Sequence, residues 1–292
     1  MILKDLKQIT VIGLGLLGSS ASLAVLRSFP KIKVSGYTHR VATRRKARQL
    51  SVATEIFDDM ALSVSNSDIV ILATPIRTFE GIFEEIAPAL AKGCIVTDVG
   101  STKAPVHRWA AKRLPKTVHY VGSHPIAGSE KRGVEFARDD LFYRAACIIT
   151  TTKNTNHSAV RTLKNFWSEL GCTVTLMSPQ KHDKIFADIS HLPHVAATAL
   201  INASDKETMK FAGRGFIDTS RIASGPANIW TDVLMTNTTN IDRGIGRIIR
   251  ELTKLQKAIK GKNEKQIQKL LEQARAKRAA LIRDKINKKE LI

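Results

Sequence analysis

Residues 9–18 read Ile-Thr-Val-Ile-Gly-Leu-Gly-Leu-Leu-Gly, an apolar run that leads into three glycines spaced as Gly-x-Gly-x-x-Gly. The run predicts a short strand, and the small residues at 19–26 predict a helix. In such a unit the first glycine permits the tight turn, the second lets the backbone approach a pyrophosphate, and the third lets helix and strand pack closely. The stretch therefore predicts a dinucleotide-binding fold. Its predicted cofactor contacts are Gly13, Gly15, Leu16, Leu17 and Gly18.

The second predicted strand, 32–37, ends without the acidic residue that NAD sites usually use to bind the ribose 2′-hydroxyl. Thr38, His39 and Arg40 stand there instead, and residues 37–48 include five basic side chains and no acidic one. A hydroxyl and a guanidinium can bind a 2′-phosphate, which a carboxylate would repel. The pattern therefore favours NADP over NAD, with Arg44 as a fourth contact. Alternatively, the basic residues at 44–48 only form the exposed face of the next helix.

Strands alternate with helices as far as residue 177, which indicates a mainly parallel sheet with helices on its faces. Further strands are predicted at 68–73, 94–98, 118–121, 146–151 and 173–177. Ligands bind to such sheets outside the carboxyl ends of the strands. The residues of interest at those ends are Gly13, Thr38, Thr74, Pro75, Ser101 and His124. Among these, Thr74, Pro75 and Ser101 are predicted to contact the cofactor.

From residue 179 onward the pattern is helical only. A helix predicted over 181–203 carries Asp183, Asp188, His191 and His194. The remaining predicted segments are a polar, glycine-containing link at 213–225, a helix from 229, an apolar helical stripe at 241–259 and a last helix at 264–286. The apolar faces are too long for one helical layer to cover. We therefore predict an α/β chain with a Rossmann-like, doubly wound domain at 1–178 and an all-α substrate and dimerisation domain at 179–292.

Composition narrows the class of protein. Of 292 residues, 43% are hydrophobic and 25% charged, which excludes a disordered chain. Three cysteines without metal-ligand spacing predict neither disulfides nor a metal site. With no signal-peptide pattern and no apolar run near the ~20 residues of a membrane span, we expect a cytoplasmic protein without a membrane partner.

The net charge of +20 has three explanations, namely nucleic-acid binding, an anionic small-molecule partner or a lysine-rich proteome. Residues 251–292 hold 13 Lys or Arg against 5 Asp or Glu. These basic residues follow a helical pattern with an apolar stripe, and no aromatic residues are interleaved as a surface for stacked bases would require. We interpret them as a solvated face and expect no nucleic acid.

His124 is the candidate catalytic residue. It lies in residues 122–130, Gly-Ser-His-Pro-Ile-Ala-Gly-Ser-Glu, which follow a predicted strand. Glycines and hydroxyls bury little apolar surface, so this stretch does not read as core. A polar, glycine-rich loop at the end of a strand is where α/β folds place chemistry.

Taken together, the motifs resemble the prephenate/arogenate dehydrogenase family of tyrosine biosynthesis. The matching stretches are 13–19 (Gly-Leu-Gly-Leu-Leu-Gly-Ser), 98–103 (Asp-Val-Gly-Ser-Thr-Lys), 122–130, 189–194 (Ile-Ser-His-Leu-Pro-His) and 215–223 (Gly-Phe-Ile-Asp-Thr-Ser-Arg-Ile-Ala), with Trp230. They come in the family's order and cover residues 9 to about 237. The main departure is Thr38 in place of the acidic residue of the common NAD pattern.

The resemblance implies an NADP- or NAD-dependent oxidative decarboxylation. Hydride leaves ring C4 for the nicotinamide and the ring carboxylate leaves as CO2, giving 4-hydroxyphenylpyruvate from prephenate or tyrosine from arogenate. By similarity His124 takes the C4 hydroxyl proton, Ser101 orients His124 and the nicotinamide, and Arg221 binds a substrate carboxylate. The substrate residues implied are Arg221, His194, Ser129, Glu130, Asp218, His191 and Trp230. An NADP preference favours arogenate by analogy within the family, and the choice of substrate stays open.

Two alternatives remain at this point. A β-hydroxyacid or imine reductase shares the layout and usually has a catalytic lysine on the long helix, where Lys181 and Lys184 are available. That alternative gives the histidine stretch no role. A basic nucleic-acid-binding or regulatory protein with a dinucleotide fold predicts binding that weakens steeply with salt and does not depend on His124.

Overall fold

The computed structural model describes residues 3–127 and 131–287, and its N-terminal part is built on a six-stranded parallel sheet. The strands are β1 (Gln8–Ile12), β2 (Lys33–Tyr37), β3 (Glu55–Phe57), β4 (Ile69–Leu72), β5 (Ile95–Asp98) and β6 (His119–Tyr120). Their order is β3-β2-β1-β4-β5-β6, so the winding direction reverses between β1 and β4. Dinucleotide-binding sheets have this order and bind their ligand at the reversal. The predicted fold class is confirmed.

Helices cover both faces of this sheet because alternate strand residues point to opposite sides. The helices are α1 (Leu16–Ser28), α2 (Val41–Gln49), α3 (Met60–Val64), α4 (Phe79–Ile86), α5 (Ala104–Arg113) and α6 (His157–Glu169). One buried cluster joins Ile9 and Val11 of β1 to α1 and α6. The other joins Ile12 to α3, α4 and α5. The carboxyl edge of the sheet is left for the loops that carry the predicted site.

A second sheet holds His124. Its strands are β7 (Gly122–Pro125), β8 (Ala146–Thr150) and β9 (Thr173–Met177), with β7 antiparallel to β8 and β8 parallel to β9. The prediction of a loop is therefore wrong for 122–125, because these residues pair with β8 from Gly122 opposite Thr150 to Pro125 opposite Cys147. Pro125 has no N–H, which suits an edge strand such as β7. Pairing with β8 fixes the backbone of His124.

The C-terminal part is helical, as predicted. Its helices are α7 (Pro179–Phe186), α8 (Leu192–Ala203), α9 (Lys206–Met209), α10 (Arg214–Ser220), α11 (Ala227–Thr236), α12 (Thr238–Lys260) and α13 (Glu264–Asn287). A π-helical turn, Ala187–His191, interrupts the long helix predicted at 181–203. It lies where Pro193, which has no N–H, cannot donate to the carbonyl of residue 189.

The predicted polar link at 213–225 is wrong for most of its length. Helix α10 and a 3₁₀ turn, Arg221–Ser224, form there instead. The hydroxyls of Thr219 and Ser220 donate to backbone carbonyls one turn earlier, each at 2.7 Å, so these polar residues are satisfied within a helix.

Contacts divide the chain into two compact units, 1–240 and 241–292, and the predicted domain boundary at 178/179 stays a prediction. The first unit contains both sheets and helices α1 to α11, and the second contains most of α12 and all of the described α13. All three cysteines are free and buried. Within residues 3–127 and 131–287, no helix combines the length and apolar character needed to cross a bilayer.

Candidate active site

The predicted cofactor loop connects β1 to α1. Gly13 has a φ of 104°, and a Cβ there would lie 2.6 Å from the carbonyl carbon of Ala73. A Cβ on Gly18 would lie 1.9 Å from the carbonyl oxygen of Gly13. The packing of the chain itself therefore requires both glycines. A Cβ on Gly15, in contrast, would meet no atom of the described residues within 4 Å, so the space beside it is open to a ligand.

The N-terminus of α1 begins beside that open space. Gly15 is its N-cap and has no side chain to accept hydrogen bonds from the first turn. The first turn, residues 16–19, contains no acidic side chain. The N–H groups of residues 16–18 and the positive end of the helix dipole therefore remain available to an anion, whereas the N–H of Ser19 donates to the carbonyl oxygen of Gly15 at 3.0 Å. This arrangement fits the pyrophosphate of a dinucleotide.

The segment after β2 contains the residues predicted at the adenosine ribose. Thr38 is buried, at 8% exposure, whereas His39 and Arg40 are exposed. Arg44 Nη1 donates to the carbonyl oxygens of Thr38 at 2.7 Å and His39 at 3.0 Å. Arg44 therefore stabilises the turn formed by Thr38 and His39. Arg40, directly after His39, has an exposed guanidinium.

An acidic residue from the neighbouring strand lies against this basic segment. Asp58, directly after β3, forms ion pairs with Arg44 and Arg48 at 2.8 and 2.9 Å. A hydrogen bond from Arg48, together with the charge of Arg44, holds the pKa of the Asp58 carboxyl below its usual value. Lys46 also forms an ion pair, with Glu135 at 3.3 Å. Three of the five cations in 37–48 thus have a carboxylate partner that the sequence pattern did not reveal.

The loops after β4 and β5 carry the other predicted cofactor contacts. Thr74 is partly buried, with its Oγ1 2.7 Å from Thr78 Oγ1, and the neighbouring Pro75 is exposed. Ser101 is partly exposed, three residues after the end of β5. Both loops thus offer accessible groups at the carboxyl edge of the sheet.

Helix α11 packs against these two loops. Asp232 Oδ2 accepts a long hydrogen bond, 3.4 Å, from the backbone N–H of Arg77. Thr236 Oγ1 lies 2.8 Å from Thr102 Oγ1, next to Ser101. Helix α11, which contains Trp230, is therefore hydrogen-bonded to the loops that contain Thr74 and Ser101.

His124 is partly buried and heads a chain of hydrogen bonds that leads to fully buried groups. Its Nδ1 lies 2.8 Å from Nε2 of His182, and Nδ1 of His182 lies 2.8 Å from Oδ1 of Asp183. Asp183 in turn accepts hydrogen bonds from the backbone N–H groups of Lys103 at 2.7 Å and Ala104 at 2.8 Å. These two groups stand at the N-terminus of α5. These hydrogen bonds therefore connect β7, α7 and α5.

A second buried polar group lies directly behind His124. The Lys103 ammonium forms an ion pair with Asp98 and donates to the carbonyl oxygen of Ser123 at 2.6 Å. Asp98 also accepts from the hydroxyl of Tyr120 at 2.6 Å. Both charged side chains are fully buried. Breaking such a pair from one side leaves an uncompensated buried charge, which is strongly destabilising.

Burial keeps the histidines of this region neutral. It lowers the pKa of His124 well below the usual 6.5, and His182, Lys103 and His191 lower it further. Burial likewise lowers the pKa of His182, although the neighbouring Asp183 opposes that shift. A neutral imidazole at position 124 can act as a hydrogen-bond acceptor and base at physiological pH.

His191, His194 and Trp230 form a second group. The ring of His194 stacks on Trp230 at 3.6 Å between centroids, with 7° between the planes. His191 Nδ1 lies 3.1 Å from Nδ2 of Asn237, which also donates to the backbone oxygen of Asp183 at 2.8 Å. Asn237 thus connects this group to the hydrogen-bonded chain of His124.

Two ring nitrogens of this second group are buried without a partner in the described part of the chain, Nε2 of His191 and Nδ1 of His194. Burial lowers the pKa of His191 to about 4 and also lowers that of His194. Unpaired buried polar atoms are uncommon and need an explanation. A polar ligand beside these helices would supply one.

The remaining predicted substrate residues are placed as follows. Asp218 on α10 is exposed, and so is Arg221, the first residue after that helix. Gly225, directly after the turn Arg221–Ser224, lies against the histidine–tryptophan stack, since a Cβ on it would lie 2.2 Å from Trp230 Nε1 and 3.1 Å from Cε1 of His194. Ser129 and Glu130 lie outside the described residues.

Sequence reasoning missed His182 as a site residue and gave Asp183 no role. One signal was available. Asp183, His191 and His194 are separated by eight and three residues, a spacing that places them on one face of a helix. In the structure all three side chains are buried.

Comparisons with known proteins agree with this geometry. Two family models match the chain, prephenate dehydrogenase, nucleotide-binding domain, at residues 21–176 and prephenate dehydrogenase, dimerization domain, at residues 178–273. Cyclohexadienyl dehydrogenase of Zymomonas mobilis is 34% identical over 260 residues, which cover 87% of this chain and 88% of that protein.

Two solved structures are similar to this chain over most of its length. Prephenate dehydrogenase from Aquifex aeolicus, in complex with hydroxyphenyl propionate and NAD+, superposes with a TM-score of 0.87 at 32% identity, covering 95% of this chain and 99% of that one. Synechocystis arogenate dehydrogenase superposes with a TM-score of 0.80 at 29% identity, covering 94% and 99%.

Proposed function

The chain belongs to the prephenate dehydrogenase family of oxidoreductases, as its motifs predicted, and we propose that it oxidatively decarboxylates prephenate or arogenate. The products are 4-hydroxyphenylpyruvate or tyrosine, with CO2 and a reduced nicotinamide dinucleotide. The observation that carries this proposal is His124, a neutral, partly buried histidine bound through Nδ1 to His182 where the nucleotide sheet meets the helical segment. Membership of this family favours a dehydrogenase over the two alternatives that the sequence left open, a β-hydroxyacid or imine reductase and a nucleic-acid-binding or regulatory protein.

A nicotinamide dinucleotide fits the carboxyl edge of the six-stranded sheet. The open space beside Gly15 and the uncapped N-terminus of α1 suit its pyrophosphate, and the loops with Thr74, Pro75 and Ser101 suit its nicotinamide half. When bound, it supplies the acceptor for the hydride that leaves ring C4. The side chains of Leu16 and Leu17 at the start of α1 complete the proposed cofactor contacts.

His124 acts as the proton acceptor in this proposal. As the C4–H bond breaks, the proton of the C4 hydroxyl moves to Nε2 of His124 and the C–O bond gains double-bond character. When the bond from C1 to the carboxylate breaks, its electron pair makes the ring aromatic. The phenol oxygen then takes the proton back from Nε2. Ser101 is proposed to orient His124 and the nicotinamide.

The substrate is an anion and needs a fixed cation. Arg221 is proposed to bind a carboxylate through its planar guanidinium. The unpaired nitrogens of His191 and His194, with the ring of Trp230, offer polar and aromatic contacts to the same molecule. Ser129, Glu130 and Asp218 complete the proposed substrate residues, the last two as acidic partners that limit access to the site.

We also propose a preference for NADP+ over NAD+. Its support is the hydroxyl of Thr38 at the end of β2, where an acidic residue would repel a 2′-phosphate, and the exposed guanidinium of Arg40 two residues later. His39 and Arg44 contribute by shaping the turn, because Arg44 is bonded to its carbonyls and paired with Asp58.

A cytoplasmic homodimer is the proposed assembly. The match to a dimerization domain supports it, as do the large apolar side chains left exposed on the helical segment, such as Ile189, Phe211, Ile217 and Met235. Apolar exposure of this kind marks protein interfaces.

A two-by-two assay tests the function. NAD+ and NADP+ are each offered with prephenate and with arogenate, and formation of the reduced nicotinamide is followed. We expect turnover with at least one substrate, faster with NADP+ than with NAD+. No turnover with any pair would refute the proposed function. A tenfold or greater preference for NAD+ would refute only the interpretation of Thr38 and Arg40.

A further inference from the structure

The carboxylate of Asp183 determines which atom donates and which accepts in each hydrogen bond of the chain behind His124. Asp183 accepts backbone N–H bonds on both carboxylate oxygens, from Lys103 and Ala104 at the start of α5. A carboxylate fixed in this way can only accept from the ring of His182 at 2.8 Å. Nδ1 of His182 therefore carries the proton, and in the neutral ring Nε2 is the acceptor.

That acceptor determines the tautomer of the next ring. Nε2 of His182 lies 2.8 Å from Nδ1 of His124, so Nδ1 of His124 must donate. A neutral His124 with its proton on Nδ1 has its lone pair on Nε2. This is the nitrogen that the proposed reaction needs as a base.

The position of His182 suits a permanent structural role. Its side chain is fully buried and stacks on Phe186 at 4.4 Å between centroids and 25° between planes, while Phe186 also contacts the ring of His124 at 4.9 Å. The ionisable groups that face it are His124 from β7, Asp98 and Lys103 from β5 and the following loop, His107 from α5, and Asp183 and His191 from its own helical segment.

We propose that His182 and Asp183 are positioning residues that hold His124 in its Nδ1–H tautomer, with Nε2 free to take the substrate proton. When Nε2 is protonated, the imidazolium donates through Nδ1 to His182, and the carboxylate of Asp183 at the end of the chain stabilises the positive charge. No bond changes in His182 or Asp183 themselves. The catalytic part of this inference rests on the proposed function, whereas the tautomer does not.

Two substitutions at His182 separate positioning from general stability. His182→Gln places an amide oxygen near the former Nε2, where it can still accept from His124. His182→Asn is too short to reach. The matched control is His107→Gln, since His107 is another histidine of low pKa that packs beside this chain and bonds a hydroxyl, Thr150 Oγ1, at 2.9 Å.

The first readout is the ¹⁵N spectrum of the histidine side chains in the ligand-free enzyme, assigned for His124 with a His124→Gln variant. We expect the Nδ1–H form in the wild type, His182→Gln and His107→Gln, and a mixture of tautomers or the Nε2–H form in His182→Asn. An unchanged Nδ1–H form in His182→Asn would overturn the proposal. Thermal unfolding of the same samples excludes variants that fail to fold.

The second readout is turnover. We expect His182→Asn to lower kcat by about tenfold or more with little change in cofactor KM, and His182→Gln to restore most of the loss. Equal kcat values in the wild type and His182→Asn would overturn the catalytic role. If no substrate is turned over but the tautomer changes as expected, the proposed function fails and the tautomer assignment stands.

Discussion

At the phosphate end of the proposed cofactor site, the groups that face the ligand are backbone atoms of one short segment, residues 13–18. At the His124 end they are side chains from β7, α8 and α11, with His182 of α7 bonded behind His124, and these elements are far apart in sequence. The first end depends on the absence of side chains, and the second on side chains held at hydrogen-bond distance. Substitutions should therefore affect binding at one end and chemistry at the other.

The largest effect is expected from His124→Asn. Removing the proposed proton acceptor should lower kcat by about 10²- to 10⁴-fold, while the cofactor still binds because the glycine loop is untouched. Steady-state kinetics and a cofactor titration measure the two quantities. A kcat within tenfold of the wild type would remove His124 from the chemistry.

A smaller effect is expected from Gly15→Ala. The added methyl group would meet no described protein atom, so folding should be unaffected, but it would occupy the space proposed for the pyrophosphate. We expect the cofactor Kd to rise about tenfold or more, since hydrogen bonds to a charged group contribute about 1.5–3 kcal/mol.

The control for this variant is Gly81→Ala on α4, where an added Cβ likewise meets no described atom. It should leave the cofactor Kd unchanged. If the two variants bind the cofactor equally well, the loop is not the pyrophosphate site.

Arg40→Ala tests cofactor recognition at the phosphate end of the proposed site. Loss of an exposed guanidinium beside a 2′-phosphate should raise the KM for NADP+ by several-fold to about tenfold and leave the KM for NAD+ nearly unchanged. Arg45→Ala, an exposed arginine on the following helix, is the matched control. An equal rise of both KM values in Arg40→Ala would contradict a role in recognising the phosphate.

The smallest effect on activity is expected from His107→Gln, which should instead change stability. Burial lowers the pKa of His107 to about 4, against about 6.5 in an unfolded chain. Between these values the unfolded state binds more protons, so the free energy of unfolding falls as pH falls from about 6.5 to about 4. His107→Gln should flatten this dependence in urea unfolding at a series of pH values, with kcat unchanged. A dependence as steep as that of the wild type would contradict the assignment.

The two ends also differ in how far they could be predicted. The strand, glycine loop and helix at 9–28 follow from local rules, because each residue acts through its own backbone conformation. His182 could not be recognised in this way, since its role depends on β7 crossing to a second sheet and on α7 packing against α5. The same holds for Asp58, which reaches Arg44 from a neighbouring strand. The prediction of a link at 213–225 is wrong because hydroxyl groups, which are common in loops, here donate to backbone carbonyls within α10.

A single-turnover experiment with varied cofactor concentration tests the division between the two ends most directly. Enzyme in excess is mixed with the substrate found active and with cofactor, and reduced nicotinamide is followed. The plateau rate reports hydride transfer, and the concentration at half of the plateau reports cofactor binding. Gly15→Ala should shift the half-saturating concentration and keep the plateau, and His124→Asn should lower the plateau and keep the half-saturating concentration. If His124→Asn weakens cofactor binding as much as Gly15→Ala does while its plateau is unchanged, the division of roles is wrong.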